Sequence, residues 1–329
     1  MEAPPGKVTA GGAALAGLGI AHPLDCVVTA AWGTLGTLRT FLSFSVDKDV
    51  QRLLRAITGH GVDQGAIVQV LTNRSREQRQ LISQAFRERT QQDLLKSLQA
   101  ALSGSLERIV VALLQPAAQT DAQELRTALK ASGSAEDVAM EILTTRAPPQ
   151  LQECLAAYKH SFQVEAEEDI KSETSSILRD LLLALAKALQ QVERPRPEGP
   201  WVRIFTQRSP QHLLRVRDLY QWRMGRALEE AVRDRFHGRA QAALLSLASV
   251  VRNTPLYFAD KLHRALQQGT EPNYQDLMRI LVSRSEIDLL SIRAEFRKKF
   301  GKSLYSALQG AVKGDCGQAL LALCRAEDL

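Results

Sequence analysis

Four arginines, Arg74, Arg146, Arg208 and Arg284, occupy one local frame that recurs along the chain. Four residues ahead of each begins an apolar pair: Val70-Leu71, Ile142-Leu143, Ile204-Phe205 and Ile280-Leu281. Twelve residues after each comes an aromatic, Phe86, Tyr158, Tyr220 or Phe296, and thirty after each a small residue, Gly104, Ser176, Gly238 or Gly314. A single unit of this kind rarely buries its own apolar face, so neighbouring units must stack into a shared core. The frame also aligns the chain with itself, so each position can be compared across the units.

The 329 residues divide better into four units of about seventy than into two ordinary domains. With 45% apolar and 24% charged residues, the units can build packed cores. Aromatics are only 5%, while Leu, Ala, Gln and Arg dominate, a balance that favours helices over a sandwich or barrel. The net charge of +6 suits anionic partners: phospholipid headgroups, acidic proteins or nucleic acid. Cys26, Cys154, Cys316 and Cys324 form neither a Cys-x-x-Cys pair nor tight disulfide spacing. Buried thiols in a reducing compartment are expected.

Residues 1–44 read as a flexible or loosely docked tail. Lys7 and the apolar run 8–20 resemble a signal peptide only loosely, because Glu2 precedes the run, glycines dilute it and His22-Pro23 interrupts it. No later stretch is long, apolar and uncharged enough for a transmembrane segment.

In the first unit, Asp47 precedes Val50, Leu53, Leu54 and Ile57 at helical spacing, and Gly59-His60-Gly61 breaks that helix. Further helices are predicted over 66–71, 76–87, 93–102 and 106–114, and Pro116 ends the unit. Each repeat should therefore hold five short helices, with loops after the first and fourth. The predicted divisions are a tail at 1–44 and repeats at 45–116, 117–186, 187–252 and 253–329.

The third repeat is truncated. The arginines lie 72, 62 and 76 residues apart, so residues are missing ahead of Arg208. Arg264-Ala265-Leu266-Gln267-Gln268, at the end of the fourth unit's first helix, recurs as Lys187-Ala188-Leu189-Gln190-Gln191. Only the last turn of the third unit's first helix should survive, fused to the run 177–185. Arg194-Pro195-Arg196-Pro197-Glu198-Gly199-Pro200 reads as a loop. Ile204, Phe205, Leu213, Leu214 and Val216 should lose burial as a result.

Two segments carry a resemblance to a known family. One is Val282-Ser283-Arg284-Ser285-Glu286-Ile287-Asp288-Leu289, continuing through Ile292-Arg293-Ala294-Glu295-Phe296-Arg297-Lys298-Lys299-Phe300. The other is Thr72-Asn73-Arg74-Ser75 with Gln78-Arg79. Across residues 45–328 the frame resembles the annexins. That resemblance implies an all-α curved disc of four five-helix repeats, cytosolic, and recruited to acidic phospholipid through calcium on its convex face.

Calcium takes six to eight oxygens, usually with a bidentate carboxylate. In annexins a Gly-x-Gly-Thr loop after the first helix supplies carbonyls, and an acid after the fourth helix supplies the carboxylate. The acidic position here is Ala101, Glu173, Arg235 and Ala311 in turn. The glycine loops are eroded as well: Gly59-His60-Gly61-Val62, Ala131-Ser132-Gly133-Ser134 and Gln268-Gly269-Thr270-Glu271, with the Arg/Pro loop in the third unit. What remains is a weak calcium candidate at Ala131, Gly133 and Glu173, the first two through their carbonyls.

Arg194, Arg196, Arg235 and Arg239 converge on the third unit's loops if the resemblance holds. There, arginine forks would meet headgroup phosphate in place of calcium. His60 and His237 fall on corresponding loops and are the pH-responsive candidates, since imidazole ordinarily gains charge below about pH 6.5.

Phe300-Gly301-Lys302-Ser303 lacks the earlier glycine and preceding strand of a phosphate-binding loop. The six histidines show no zinc spacing, and no nucleophile elbow is present. Arg293, Arg297, Lys298, Lys299 and Lys302 read as a solvated face bridged to acids such as Glu295. Without a recognisable module, nucleic acid is not an expected partner.

The reading is a non-enzymatic, cytoplasmic, peripheral membrane protein, located at membranes or the cell cortex. It would bind acidic phospholipid of the phosphatidylserine type with weak or lost calcium dependence, as a membrane–cortical scaffold. The alternative is a calcium-independent protein–protein adaptor with little lipid affinity, working through its tail or disc surface.

Overall fold

The amphipathic spacing seen in the sequence becomes helix over most of the described residues. The computed structural model describes residues 36–38, 44–59, 61–131, 136–174, 176–187, 210–267 and 271–325. The first repeat contains α1 (Val46–Thr58), α2 (Gln64–Leu71), α3 (Arg76–Thr90), α4 (Leu94–Ala101) and α5 (Gly104–Leu114). The second contains α6 (Ala117–Lys130), α7 (Glu136–Thr145), α8 (Pro148–Phe162), α9 (Ala166–Glu173) and α10 (Ser176–Lys187). The third shows α11 (Pro210–Met224), α12 (Leu228–Arg235) and α13 (Gly238–Arg252). The fourth contains α14 (Thr254–Gln267), α15 (Tyr274–Arg284), α16 (Leu289–Phe300), α17 (Leu304–Ala311) and α18 (Gly314–Cys324).

Local chemistry sets these boundaries. Ser75 accepts from the Gln78 N–H and Gln78 accepts from the Ser75 N–H, a reciprocal cap that starts α3. Asp63 and Asp93 cap α2 and α4 through the N–H groups of Ala66 and Lys96. The third helix of every repeat ends at a left-handed residue in the same frame position: Gln91, Gln163, Gly225 and Gly301, with φ of 58°, 55°, 68° and 69°. The glycines adopt it without penalty, whereas each glutamine bears a cost of about 1 kcal/mol.

The repeating arginine is itself a fastener. Arg74 grips Asp49 through two hydrogen bonds of 2.6 and 3.0 Å, and Arg146 grips Asp121 at 2.7 and 2.8 Å. Each ties the first helix to the turn before the third. In the fourth repeat the partner moves, and Arg284 holds Asp288 at 2.7 and 2.5 Å. Arg208 lies outside the described residues.

Two cores result. Leu53, Ile67, Phe86 and Ile109 of the first repeat share one with Phe258, Ile280, Phe296 and Leu320 of the fourth. Leu125, Leu143, Tyr158 and Leu181 of the second share the other with Leu213, Leu244 and Leu247 of the third. A buried ionic cluster links the two halves. Glu141 on α7, 0% exposed, accepts from Lys261 of α14 at 2.7 Å and from Arg279 of α15 at 2.9 Å. Burial alone would raise the Glu141 carboxyl, but Lys261 and then Arg279 outweigh it and hold it down at about 2.

Several expectations need correction. Residues 36–38 are tightly docked, not loose. Thr37 donates to the carbonyls of Leu323 (2.7 Å) and Ser285 (3.3 Å), and the Leu38 N–H donates to Ser285. Gly36 passes so close that a Cβ there would sit 2.7 Å from the Ser285 carbonyl oxygen. Arg293 is buried rather than solvated and donates to the Cys324 carbonyl, while Lys299 pairs with Asp260 rather than Glu295. Although the sequence Ser283-Arg284-Ser285-Glu286 reads as opening the fourth repeat's third helix, residues 285–288 form a turn and α16 starts at Leu289. Glu286 instead accepts from the Arg76 N–H and from Arg79, capping α3 of the first repeat.

In the third repeat, Leu213 stays buried against Leu244 and Leu247, contrary to expectation, while Leu214 and Val216 are half-buried as expected. Ile204 and Phe205 lie outside the described residues. Eight and twelve residues after the frame arginine stand Ile82 and Phe86, Cys154 and Tyr158, and Ile292 and Phe296, all buried. Their third-repeat counterparts, Val216 and Tyr220, are only half-buried. Lower local stability follows from that thinner cover. Amide hydrogen exchange across 210–252 is expected to run about tenfold faster than across 254–324, equivalent to ~1.4 kcal/mol in local opening. Equal protection in the two segments would contradict this.

Candidate functional site

The four positions singled out as carboxylate sites are structurally equivalent. Ala101, Glu173, Arg235 and Ala311 are the last residues of α4, α9, α12 and α17. Each is followed by an extended residue, Leu102, Thr174, Phe236 or Val312, that ends the helix. Identical helix ends thus present a methyl group, a carboxylate, a guanidinium and a methyl group.

The one remaining acid is engaged from within the protein. Lys130, the last residue of α6, reaches Glu173 at 2.6 Å and Asp169 at 2.8 Å. Hydrogen bonds to Asp169 and then Glu173 raise the Lys130 ammonium above its usual range. Asp169 is further held by Arg126 and by the Tyr158 hydroxyl, which donates to it. Burial would raise the Asp169 carboxyl, yet its bonds from Lys130 and Tyr158 hold it below the usual range. Ala131 follows Lys130 directly as an extended cap residue, while Gly133 lies outside the described residues.

Among the described residues no cluster of three His, Cys, Asp or Glu side chains could hold a metal ion. Three of the four positions have no carboxylate, and the fourth already faces an ammonium. Of these four helix ends only that of α9 carries the carboxylate that the implied calcium site needs, and there the ion would have to displace Lys130.

The third-repeat loop presents cations. Arg235 ends α12, His237 is the N-cap residue of α13 with no side-chain cap bond, and Arg239 lies in the first turn of α13. All three are exposed. The structure also places Arg239 on a cleft of about 1050 Å³ shared with Asp137, Lys261 and Arg264. Arg264 escaped the sequence reading because nothing in its own segment sets it apart from other surface arginines. Arg194, Arg196 and His60 lie outside the described residues, so the convergence of Arg194 and Arg196 with Arg235 remains a sequence-based reading.

The thiols of Cys154, Cys316 and Cys324 are buried, and burial pushes Cys154 up to about 12 and Cys316 up to about 11. No helix among the described residues is long and apolar enough to cross a membrane.

A family model described as Annexin matches residues 48–113, 120–185, 197–247 and 257–323, the third segment being the shortest. Annexin A9 of Bos taurus is 75% identical over 321 residues, covering 92% of this chain and 93% of that protein. Annexin A9 of Homo sapiens is 74% identical over the same coverage. The solved structure of annexin III superposes with a TM-score of 0.84 at 35% identity, covering 90% of this chain and 99% of that one. A calcium-bound annexin (Sm)1 structure superposes with a TM-score of 0.78 at 25% identity, covering 88% of this chain and 93% of that one. The chain belongs to the annexin family, whose members are generally calcium-dependent, phospholipid-binding peripheral membrane proteins.

Proposed function

We propose that this annexin binds acidic phospholipid of the phosphatidylserine type with weak or lost calcium dependence. In this reading it is a cytoplasmic scaffold at the membrane or cell cortex, acting by binding rather than catalysis. The observation that supports it is the set of four equivalent helix ends, which offer two methyl groups, one guanidinium and one carboxylate already paired with Lys130. Repeat 2, with Ala131, Gly133 and Glu173, keeps at most a weak calcium site.

Cations would take over part of the metal's work. Arg235 and Arg239 flank the start of α13, and in sequence Arg194 and Arg196 belong to the same repeat. Each basic residue near an anionic surface adds on the order of 1 kcal/mol, screened over about 10 Å at 0.1 M salt. Three or four give weak, reversible association.

Co-sedimentation with phosphatidylserine vesicles, in calcium or chelator and at low or high salt, tests this. Binding should persist in chelator, fall at high salt and weaken in Arg194→Gln/Arg196→Gln/Arg235→Gln without loss of melting temperature. Strict dependence on calcium would overturn the reading. Absence of binding under all conditions would favour the protein–protein adaptor.

A further inference from the structure

We propose that the outer face of α11 is a second lipid-contact surface, taking anionic phospholipid through Trp222 and Leu219 flanked by Arg215 and Arg223. It stands independently of the loop surface proposed above.

Among the described residues, the large apolar side chains that face solvent are Leu81, Leu219, Trp222 and Met224. Three of these fall on α11. Trp222 is 83% exposed and Leu219 62%. At 3.6 residues per turn, Arg215, Leu219 and Trp222 lie on one stripe with Arg223 at its edge. Leu213 and Tyr220 point the other way, towards α13 and its core. A helix that is apolar on two sides calls for two partners, and the described protein supplies one.

The internal repeat shows that this outer face is particular to the third unit. The position of Trp222 is Glu88, His160 and Lys298 in the other units, and that of Leu219 is Ala85, Ala157 and Glu295. Elsewhere the frame keeps it polar or small, so the tryptophan is not required by the fold.

Charge selects the occupant. Arg215 and Arg223 are exposed and form no ion pair among the described residues, while Arg217 is satisfied by Asp218 at 2.8 Å. A second copy of the chain would bring like charge against like. An anionic bilayer offers phosphate to the arginines and an apolar boundary to the ring, the setting in which tryptophan is enriched. The eight residues of α12 separate this face from Arg235, a span of about 12 Å, so the two surfaces lie at opposite ends of one helix.

The test uses the full chain with Trp32→Phe and Trp201→Phe, which leaves Trp222 as the sole tryptophan. In chelator, phosphatidylserine vesicles should shift its emission to the blue, brominated acyl chains should quench it, and pure phosphatidylcholine should do neither. Leu219→Gln/Trp222→Gln should weaken vesicle binding roughly tenfold or more at unchanged melting temperature. Sedimentation with vesicles while Trp222 stays red and unquenched would overturn this proposal and leave the loop surface standing. Failure to sediment at all would overturn both. Blue emission before lipid is added would mean that the chain or a second copy covers the ring. A shift with polyglutamate but not with vesicles would assign the face to an acidic protein. Either of these last outcomes would also overturn the proposal.

Discussion

Glu141→Gln is expected to lower stability by roughly 3 kcal/mol. Glu141 is fully buried and carries both Lys261 and Arg279. The amide keeps the shape but removes the charge, leaving two cations in the interior short of a counter-ion. Asp137 at 3.0 Å from Lys261 and Asp276 at 2.6 Å from Arg279 retain part of the compensation, which places the loss at the low end for a broken buried pair. Replacing Glu141, Lys261 and Arg279 together with methionine should recover most of it, since no fully buried charge is then stranded and Asp137 and Asp276 can turn to solvent. A thermal melt that is equal for Glu141→Gln and wild type would remove the cluster from the protein's stability.

Acid should erase the difference. The Glu141 carboxyl is held at about 2 in the fold against an ordinary 4.5. A depressed carboxyl contributes stability that is fully present above pH 4.5 and is lost as pH falls towards 2. The gap in melting temperature between wild type and Glu141→Gln should therefore narrow across that window and stay constant above it.

Nothing local in the sequence marks Glu141. Its partners are 120 and 138 residues away, and no periodicity connects residues across repeats. The helices were legible for the opposite reason. Capping residues such as Asp63, Ser75 and Asp93 act within three positions, and apolar spacing within a turn fixes each inward face. The four carboxylate positions were also legible, because a repeat aligned with itself places Ala101, Glu173, Arg235 and Ala311 at one helix end. What those residues touch was not. That Lys130 closes on Glu173 depends on how α6 and α9 lie together, and Arg293 looked solvated because its partner is a backbone carbonyl on α18. The spacing of 25 residues from Asp49 to Arg74 and from Asp121 to Arg146 was present in the sequence. The fourth repeat breaks that spacing by using Asp288, so it is not a property of the repeat frame as a whole.

Adding a carboxylate to the first repeat should create or strengthen calcium-dependent membrane binding there. The change is Ala101→Glu with Val62→Thr, in the repeat that keeps Gly59 and Gly61. Ala101 ends α4, which packs against α1, and Gly59 caps the end of α1, so the design places the new carboxylate opposite the Gly59–Gly61 loop. Gly61 adopts φ of 130°, a conformation open to glycine but not to ordinary side chains, so the loop already has the backbone freedom to turn carbonyls outward. What is missing is the charged bidentate ligand, and calcium affinity follows ligand charge and number. Calcium should then strengthen phosphatidylserine binding by at least about tenfold, or ~1.4 kcal/mol, with calorimetry showing calcium uptake. Ala101→Gln with Val62→Thr is the control of matched size, and it should gain nothing because an amide oxygen carries no net charge. Lys130→Ala gives an independent second arm, releasing Glu173 in the repeat that keeps its acid. Sedimentation that is identical with calcium and chelator in Ala101→Glu/Val62→Thr would mean that the end of α4 does not face the loop after α1 closely enough to share an ion. The assignment of the four equivalent positions would fall with it.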